Sequence, residues 1–411
     1  MKLAVMSDFH LGYNDDALPQ AAEALNKALP LADAIIVAGD VFDSRIPKQE
    51  TINEGLKLFH SFAKKLVAKN HARVSVIGEG GIEEESEFPP LVAIYGTHER
   101  RTKGLVNAIQ LLESGGVVAN CHAKTILIKK SRDAAGAPPE RVAIQGMGGI
   151  PEEYAKNTLE LLAPKPVPGA FNVFVFHQTL QEIIPQAGEE TLKAADLPNG
   201  FDLYVDGHIH WTWDKVEGGK RIMLPGSTVV TQMRRKEMEP KGFYLFDTLA
   251  KSAEFIEIHT RPFEFVELEF KNAGLSEIAG KTSQAIGGIA EKYGEQKPLV
   301  KIKLSGTLAP GLQNSNLDLS PILRDWEGKM LLSIDRNLES AELEQKIERL
   351  RRLRQEKKSV RELGVEILRK KLEALARENP AAKGLAGKEE ELFDLLAEDK
   401  TDDAIKKIAG N

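Results

Sequence analysis

The order of apolar runs and helical spacings along the chain predicts a layered α/β fold. Apolar runs at residues 2–7, 33–38 and 91–95 predict buried strands that each end at a polar or glycine-containing turn. Residues 51–69 place large apolar side chains three and four positions apart, which predicts an amphipathic helix between the second and third strands. Strands that alternate with helices are typical of α/β folds. Later apolar runs predict strands at 142–145, 172–176, 202–206, 221–224, 243–246 and 254–258.

A change of pattern near residue 262 predicts a second domain. Alternating apolar and charged positions at 263–270 and 299–304 predict strands, and residues 276–293 between them have helical spacing. We therefore expect a small α+β domain over residues 262–336. A chain of 411 residues has room for two or three domains, at roughly 100–200 residues each.

A third pattern, rich in glutamate, lysine and arginine, predicts a helical tail over residues 337–411 and leaves residues 1–261 as the first domain. The tail includes a short amphipathic helix at 388–397. Its apolar side chains need a surface, because one isolated short helix cannot bury them. We favour a partner's groove over a self-packed helical hairpin. The candidate partner-binding residues are Leu392, Phe393, Leu395 and Leu396.

Composition narrows the class of protein. Hydrophobic residues make up 42% of the chain and charged residues 28%, as in ordinary globular proteins. The net charge of −6 excludes a globally basic nucleic-acid binder, but it allows a cleft whose positive charge is local or comes from metal ions. The single cysteine, Cys121, cannot form an intramolecular disulfide. Without a leader pattern or a run of about 18 apolar residues, we expect a cytoplasmic protein with no membrane span.

One insert stands apart in charge. Residues 79–90 are acidic and contain glycine and proline. Such a composition is typical of a solvated surface loop.

Aspartate and histidine follow five of the predicted strands. Polar side chains at the carboxyl ends of strands are where chemistry collects in open α/β sheets. Asp and His are ligands suited to Mn²⁺, Fe²⁺ or Zn²⁺. Ligands two residues apart are expected to share one side of an extended backbone. The five fragments are Asp8-Phe9-His10, Gly39-Asp40-Val41-Phe42-Asp43, Gly96-Thr97-His98-Glu99, His177 and Gly207-His208-Ile209-His210.

These fragments predict a site for two metal ions. A carboxylate such as Asp40 can bridge two cations, and cations about 3.5–4 Å apart clamp a phosphoryl group and activate a water. The other histidines are assigned to the commoner class of hydrogen-bonded, non-ligand residues. They are His60, His71, His122 and His259.

The five fragments resemble the calcineurin-like metallophosphoesterase superfamily, whose pattern is D-x-H, G-D, G-N-H-D/E, H and G-H-x-H, over residues 1 to about 230. The resemblance implies a four-layer αββα sandwich that binds two Mn²⁺ ions, with Fe²⁺ or Zn²⁺ as alternatives. It also implies that His98 faces the scissile phosphate and assists the leaving oxygen, and that Asp43 orients a ligand or lies near the substrate. The implied ligands are Asp8, His10, Asp40 and His210 for one metal, and Asp40, His177 and His208 for the second.

Thr97 departs from this pattern, because the family has an asparagine whose amide oxygen ligates the second metal. The threonine hydroxyl is a shorter neutral donor. It ligates the metal directly or through a water, or it only supports the turn. The departure therefore puts the strength of the second site in question.

A second resemblance points to DNA. Residues 225–247 contain PGST and KGF, and residues 39–47 read GDVFDSRIP. Both segments are similar to the SbcD and meiotic-recombination-eleven family of DNA double-strand-break repair nucleases. The resemblance implies a capping domain, a tail that docks on an SMC-like coiled-coil ATPase of SbcC type, and a homodimer. Helices at 51–69 or 104–114 are candidates for the dimer contact.

Basic residues near the fragments suit a DNA substrate. Arg100, Arg101 and Lys103 follow the third fragment, and a second basic group lies at 234–236. Phosphate contacts position DNA without reading its sequence. We predict Arg100, Arg101 and Asp43 as substrate-binding residues, and double-stranded DNA ends as the substrate.

Two other functions stay open. One is a phosphoesterase of the same superfamily that acts on small nucleotides or phosphoproteins. The other is a scaffold that binds DNA or tethers the ATPase and has lost activity through Thr97.

Overall fold

A computed structural model describes residues 1–69, 72–78, 81–102, 104–131, 139–188, 190–340, 360–378, 387–398 and 400–409. Its strands are β1 Lys2–Met6, β2 Ala34–Ala38, β3 Arg73–Ile77, β4 Glu83–Ser86, β5 Leu91–Ile94, β6 Ala119–Asn120, β7 Thr125–Lys130, β8 Glu140–Met147, β9 Phe171–Phe176, β10 Leu203–Asp206, β11 Trp213–Glu217, β12 Lys220–Leu224, β13 Gly242–Asp247, β14 Ser252–Glu257, β15 Phe263–Ala273, β16 Leu299–Leu308 and β17 Leu331–Ser340. Its α-helices are α1 Ala17–Ala28, α2 Gln49–Lys69, α3 Ala108–Ser114, α4 Glu152–Leu162, α5 Leu275–Tyr293, α6 Ser320–Asp325, α7 Val360–Glu378, α8 Glu389–Ala397 and α9 Thr401–Ala409.

The chain divides into two compact units. The first comprises Met1–Val266, Ile286–Lys301 and Trp326–Ser333, and the second comprises Glu267–Ala285, Ile302–Asp325 and Ile334–Asn411. This division passes through β15, α5, β16 and β17. The three-domain arrangement with boundaries at 262 and 337 stays a prediction.

Two sheets form the centre of the first unit. Six strands have the order β14-β13-β1-β2-β5-β6, and eight have the order β11-β12-β10-β9-β8-β7-β3-β4. β1, β2, β5 and β6 are parallel in the first sheet. β8, β9, β10 and β12 are parallel in the second. The carboxyl ends of the parallel strands therefore lie at one edge of each sheet.

Alternation along β1 shows how the layers pack. Ala4 and Met6 share one buried cluster with apolar residues of α1, α2 and α3. Leu3 and Val5 point the other way, into a second cluster with residues of β7, β8, β9 and β10. A third cluster packs α4 against the outer face of the second sheet. The layers are helices, sheet, sheet and helix, so the predicted four-layer αββα sandwich is confirmed.

The acidic insert differs from its expected form as a loop. Glu83–Ser86 form β4, which pairs antiparallel with β3 at the edge of the eight-stranded sheet. An edge strand of charged residues fits this place, since charged side chains discourage pairing with another chain. Residues 79 and 80 of the insert lie outside the described residues.

The remaining elements form smaller assemblies. Strands β15, β16 and β17 make a three-stranded sheet in that order. Helices α7, α8 and α9 belong to the second unit. Among the residues that the structure describes, no helix combines the length and the apolar character needed to cross a bilayer.

The amphipathic helix of the tail packs partly within its own unit. Leu392 is only 1% exposed, and a Cβ atom placed on Gly364 would lie 2.0 Å from the ring of Phe393. A salt bridge of 2.7 Å joins Arg361 to Asp394. For Leu392 and Phe393 these contacts favour the alternative of a self-packed helical hairpin. Leu396 is 47% exposed, so partner binding by this helix stays a prediction.

Candidate metal centre

Left-handed backbone conformations place several of the predicted ligands. The φ angles are 54° at Asp8, 48° at His10, 47° at Asp40 and 69° at His208. Only a few per cent of residues other than glycine have such angles, and they concentrate at functional sites. The expectation that paired ligands share one side of an extended strand is therefore wrong. β1 and β10 end before the ligands, and the turns that follow aim the side chains.

Three side chains from two loops form the first donor cluster. Ligand atoms of Asp8, His10 and His210 all lie within 4.8 Å of one another. The two histidine Nε2 atoms are 3.2 Å apart, and each is 3.7 Å from Oδ1 of Asp8. That oxygen is buried and has no hydrogen-bond partner among the residues that the structure describes. A cation among the three atoms would satisfy it. We call Asp8, His10 and His210 the first subsite.

A second cluster lies beside the first. Ligand atoms of Asp40, His177 and His208 lie within 4.8 Å of one another. His177 Nδ1 donates to the backbone oxygen of Ala38 at 2.7 Å. Nε2 of the same ring lies 3.1 Å from Oδ2 of Asp40 and would be the nitrogen that binds a metal. We call Asp40, His177 and His208 the second subsite. The structure brings together every predicted Asp and His ligand, while binding of metal by them stays a prediction.

Burial and the neighbouring charges shift the pKa values of these groups. Burial lowers the pKa of His208 to about 4, with the nearby charge of His177 acting in the same direction, so His208 is a neutral donor at neutral pH. Burial alone would raise the pKa of Asp8, but His10, whose Nε2 lies 3.7 Å from Oδ1, and the charges of the other histidines hold it below its usual value. Two carboxylates, Asp8 and Asp40, thus meet several imidazoles in a buried place. Asp and His donors of this kind suit Mn²⁺, Fe²⁺ or Zn²⁺.

His98 lies at the open side of the two subsites. Its ring is 4.9 Å from that of His10, and its side chain is 45% exposed. Nδ1 donates to the backbone oxygen of Asp43 at 3.0 Å and lies 3.3 Å from Oδ1 of that residue. The hydrogen bond to Asp43 raises the pKa of His98. His98 also falls within 4.8 Å of donor atoms of His10 and Asp40.

Asp43 joins the two histidines. Its Oδ1 accepts a hydrogen bond of 2.9 Å from His10 Nδ1 in addition to its contact with His98. This places it to orient a ligand, which is one of the two roles predicted for it.

Thr97 contacts the second subsite. Its Oγ1 lies 3.4 Å from Oδ2 of Asp40, and its side chain is half-buried. Its role as a metal ligand stays a prediction. The adjoining Gly96 is required by packing, because a Cβ atom there would lie 2.1 Å from Oδ1 of Asp40.

The arginines after this turn are half-buried. Arg101 donates to the backbone oxygen of Arg45 at 3.3 Å. Contacts of Arg100 and Arg101 with DNA stay predictions, and Lys103 lies outside the described residues.

Buried residues that the sequence reasoning did not single out hold the ligand loops. The hydroxyl of Ser7 bonds to Oδ2 of Asp8 and, at 3.0 Å, to the backbone oxygen of Ala38. The carboxylate of Glu99 accepts from the backbone N–H groups of Phe42 and Gly96, both at 2.9 Å. Glu99 therefore connects the turns that follow β2 and β5. Its place in the third motif was the only available signal.

A third group surrounds His210. All of its members lie within residues 225–247, the segment that contains PGST and KGF. The resemblance singled out this segment without assigning roles to its side chains. Burial opposes ionisation of Glu237, but His210, whose Nδ1 lies 3.7 Å from Oε1, and the charge of Lys241 hold the pKa of its carboxyl below the usual value. The members are Ser227, Thr231, Glu237 and Lys241.

Residues 1–212 match the calcineurin-like phosphoesterase family, and this match spans more than half of the 411-residue chain. The chain therefore belongs to that family and is a metal-dependent phosphoesterase, as predicted.

Two similar proteins come from archaea. The chain is 26% identical to the DNA double-strand break repair protein Mre11 of Archaeoglobus fulgidus, over 72% of this chain and 67% of that protein. It is 23% identical to the protein of the same name from Sulfolobus acidocaldarius, over 75% of this chain and 76% of that protein. Among solved structures, a novel archaeal phosphodiesterase is similar at 14% identity and a TM-score of 0.27, over 63% of this chain and 100% of the other.

His122, one of the four histidines assigned to a non-ligand role, is half-buried and belongs to none of these donor clusters. Its Nδ1 accepts from the N–H of Gly148 at 3.0 Å, and its Nε2 is 3.3 Å from the hydroxyl of Tyr95. Burial, with a contribution from Lys124, lowers its pKa from 6.5 to about 4. In the folded protein this ring is therefore neutral at neutral pH.

We predict that His122 contributes to acid destabilisation. Between its pKa of 6.5 when unfolded and about 4 when folded, the unfolded chain binds the extra proton. Stability is therefore lost as the pH falls through this window, by up to about 3 kcal/mol. In metal-free protein, urea unfolding should lose less stability between pH of about 7 and about 5 in His122→Gln than in the wild type. Exposed His60→Gln is the control, and equal losses in all three proteins would contradict the prediction.

Proposed function

We propose that this phosphoesterase is a Mn²⁺-dependent nuclease that hydrolyses DNA phosphodiester bonds in double-strand-break repair. The observation that carries the proposal is the pair of adjacent donor clusters with His98 at their open side. The similarity to archaeal Mre11 proteins over about three quarters of the chain supports DNA as the substrate.

The side chains divide the work. Two bound cations would supply charge stabilisation to the phosphoryl oxygens and lower the pKa of a water. Asp8, Asp40 and the buried histidines hold those ions. The ring of His98 is half-exposed, and its Nδ1 is held in place by Asp43. Asp43 raises the pKa of His98, which favours the protonated ring that would donate to the leaving oxygen.

The first test is degradation of linear double-stranded DNA with Mn²⁺. We expect the wild type to cut and His98→Ala to be slower by roughly 100- to 10,000-fold, the usual contribution of a general acid. Exposed His60→Ala should cut like the wild type. Hydrolysis of a small phosphodiester without any cutting of DNA would reject the DNA substrate and favour a small-molecule phosphoesterase.

Thr97→Asn belongs in the same assay. An amide oxygen reaches farther than the threonine hydroxyl, so we expect this variant to need less Mn²⁺ for half-maximal cutting. An inert wild type together with an active Thr97→Asn would indicate a scaffold whose second subsite is too weak for turnover. An unchanged Mn²⁺ requirement would contradict a ligand role at position 97.

A homodimer is part of the proposal. The candidate segments are α2 and the stretch that leads into α3. Around α3, Leu105 is 53% exposed, Val106 55% and Leu111 42%. Apolar side chains grouped in this way are typical of an interaction surface.

We predict that Val106→Glu combined with Leu111→Glu converts a dimer into a monomer, because the charges would be buried in the contact. Light scattering during gel filtration measures the mass. Leu161→Glu is the control, since Leu161 is 85% exposed on α4. A monomeric wild type would reject the homodimer.

The tail is proposed to bind an SMC-like coiled-coil ATPase of SbcC type. Leu396 is 47% exposed and Ile405 is 61% exposed, so the tail helices keep apolar side chains at their surface. Apolar helix faces commonly bind a partner's groove.

We predict that Leu396→Glu combined with Ile405→Glu weakens binding to the coiled-coil segment of such an ATPase by at least about tenfold, or 1.4 kcal/mol. Calorimetry with the purified segment measures the affinity. Leu249→Glu, at a residue 66% exposed in the first unit, is the control. Equal affinity of all variants would place the contact elsewhere.

A further inference from the structure

The chain beyond His210 returns to that ligand and contacts it in two places. His210 Nδ1 lies 2.6 Å from the hydroxyl oxygen of Thr231, which lies 3.5 Å from Oε1 of Glu237. Lys241 Nζ donates to the backbone oxygen of His210 at 2.7 Å and lies 3.7 Å from the same Oε1. Glu237 is 2% exposed and Lys241 4%. The ring and the backbone of one candidate ligand are thus contacted by side chains 21 and 31 residues farther along the chain.

We infer that Glu237, acting through Thr231, is a positioning residue for His210, and that this contact makes the first subsite bind its metal ion more tightly than the second. The inference rests on the proposed metal site. It concerns the affinity for the ion, so it can be tested without any assay of DNA cutting.

The hydrogen bonds of the ligand rings support this difference. When Nδ1 of His210 donates to Thr231, the lone pair of Nε2 points to Asp8 and His10. A partner on the far nitrogen fixes the ring and raises its basicity as a ligand. In the first subsite that partner is a carboxylate in both cases, Asp43 for His10 and Glu237 by way of Thr231 for His210.

The second subsite is supported differently. His177 donates to the neutral backbone oxygen of Ala38. A neutral acceptor polarises the imidazole less than a carboxylate does. Thr97, in place of the family's asparagine, also lies on this side, 3.4 Å from Asp40. Both features favour weaker binding at the second subsite.

Glu237 also fixes the loop that carries Thr231. Its carboxylate accepts the backbone N–H of Thr231 at 3.1 Å, of Gln232 at 2.9 Å and of Arg234 at 3.3 Å. Lys241 balances its charge, so removal of Glu237 also leaves a buried lysine without its counter-charge. Thr231 is therefore the cleaner position for a test, because its change alters no charge.

The experiment is a Mn²⁺ titration of the metal-free full chain, followed by calorimetry and by electron paramagnetic resonance of free Mn²⁺. We expect two binding steps in the wild type. Thr231→Val should weaken the tighter step by roughly 10- to 100-fold, the usual effect of losing such a partner, and should leave the weaker step within about twofold. Thr231→Ser, which keeps the hydroxyl, should restore it. Glu237→Gln should act like Thr231→Val.

Matched controls are Thr158→Val on α4 and Glu239→Gln near the same turn, and both should bind like the wild type. Wild-type affinities in Thr231→Val, or equal weakening of both steps, would overturn the inference. If Glu237→Gln does not fold, comparison of Thr231→Val with Thr231→Ser still tests the inference. Two unequal steps in a wild type that does not cut DNA would reject the nuclease proposal and leave this inference standing.

Discussion

The convergence of buried carboxylates and imidazoles at the strand ends is the constraint on which the rest of the first unit depends. Asp8 and Asp40 are 0% and 1% exposed, and such groups are costly to bury unless they are paired. The protein meets this cost with imidazoles, backbone N–H groups and a place for cations. The loops must approach closely for these contacts, which is why glycine at 96 and 207 has backbone or ligand atoms within 2.1 Å of the position of a missing Cβ. The two sheets, in turn, bring the loops to one edge.

Much of this could be predicted from the sequence because the signal is local. Buried parallel strands are continuous apolar runs, and β1, β2, β5, β9 and β10 lie where such runs were found. The Asp and His residues predicted as ligands directly follow those strands, so order along the chain was enough to single out the side chains that cluster in the structure. The strand β4 was not predicted because its acidic residues are typical of a solvated loop. Only pairing with β3 makes it a strand.

The parts that could not be predicted depend on contacts between distant residues. Glu237 and Thr231 have no spacing that marks them as partners of His210, and the tail helix gives no sequence sign that Phe393 packs on Gly364. The left-handed turns could not be predicted either, since aspartate and histidine at those positions are equally compatible with an extended backbone. Strand geometry thus pointed to residues that do cluster, although the extended backbone on which it relied is absent at these positions. His208 and His210, expected on one side, contribute to different subsites.

Those left-handed turns bear on how the site persists through mutation. Backbone conformations of this kind cost of order 1–3 kcal/mol each and last only where the surroundings impose them. Four of the ligand positions carry one. Glycine at any of them would relieve the strain, but it would also leave the buried groups that pair with the lost side chain without that partner. Loss of a single candidate ligand therefore exchanges backbone strain for unpaired buried groups, and drift away from the site brings little advantage in stability.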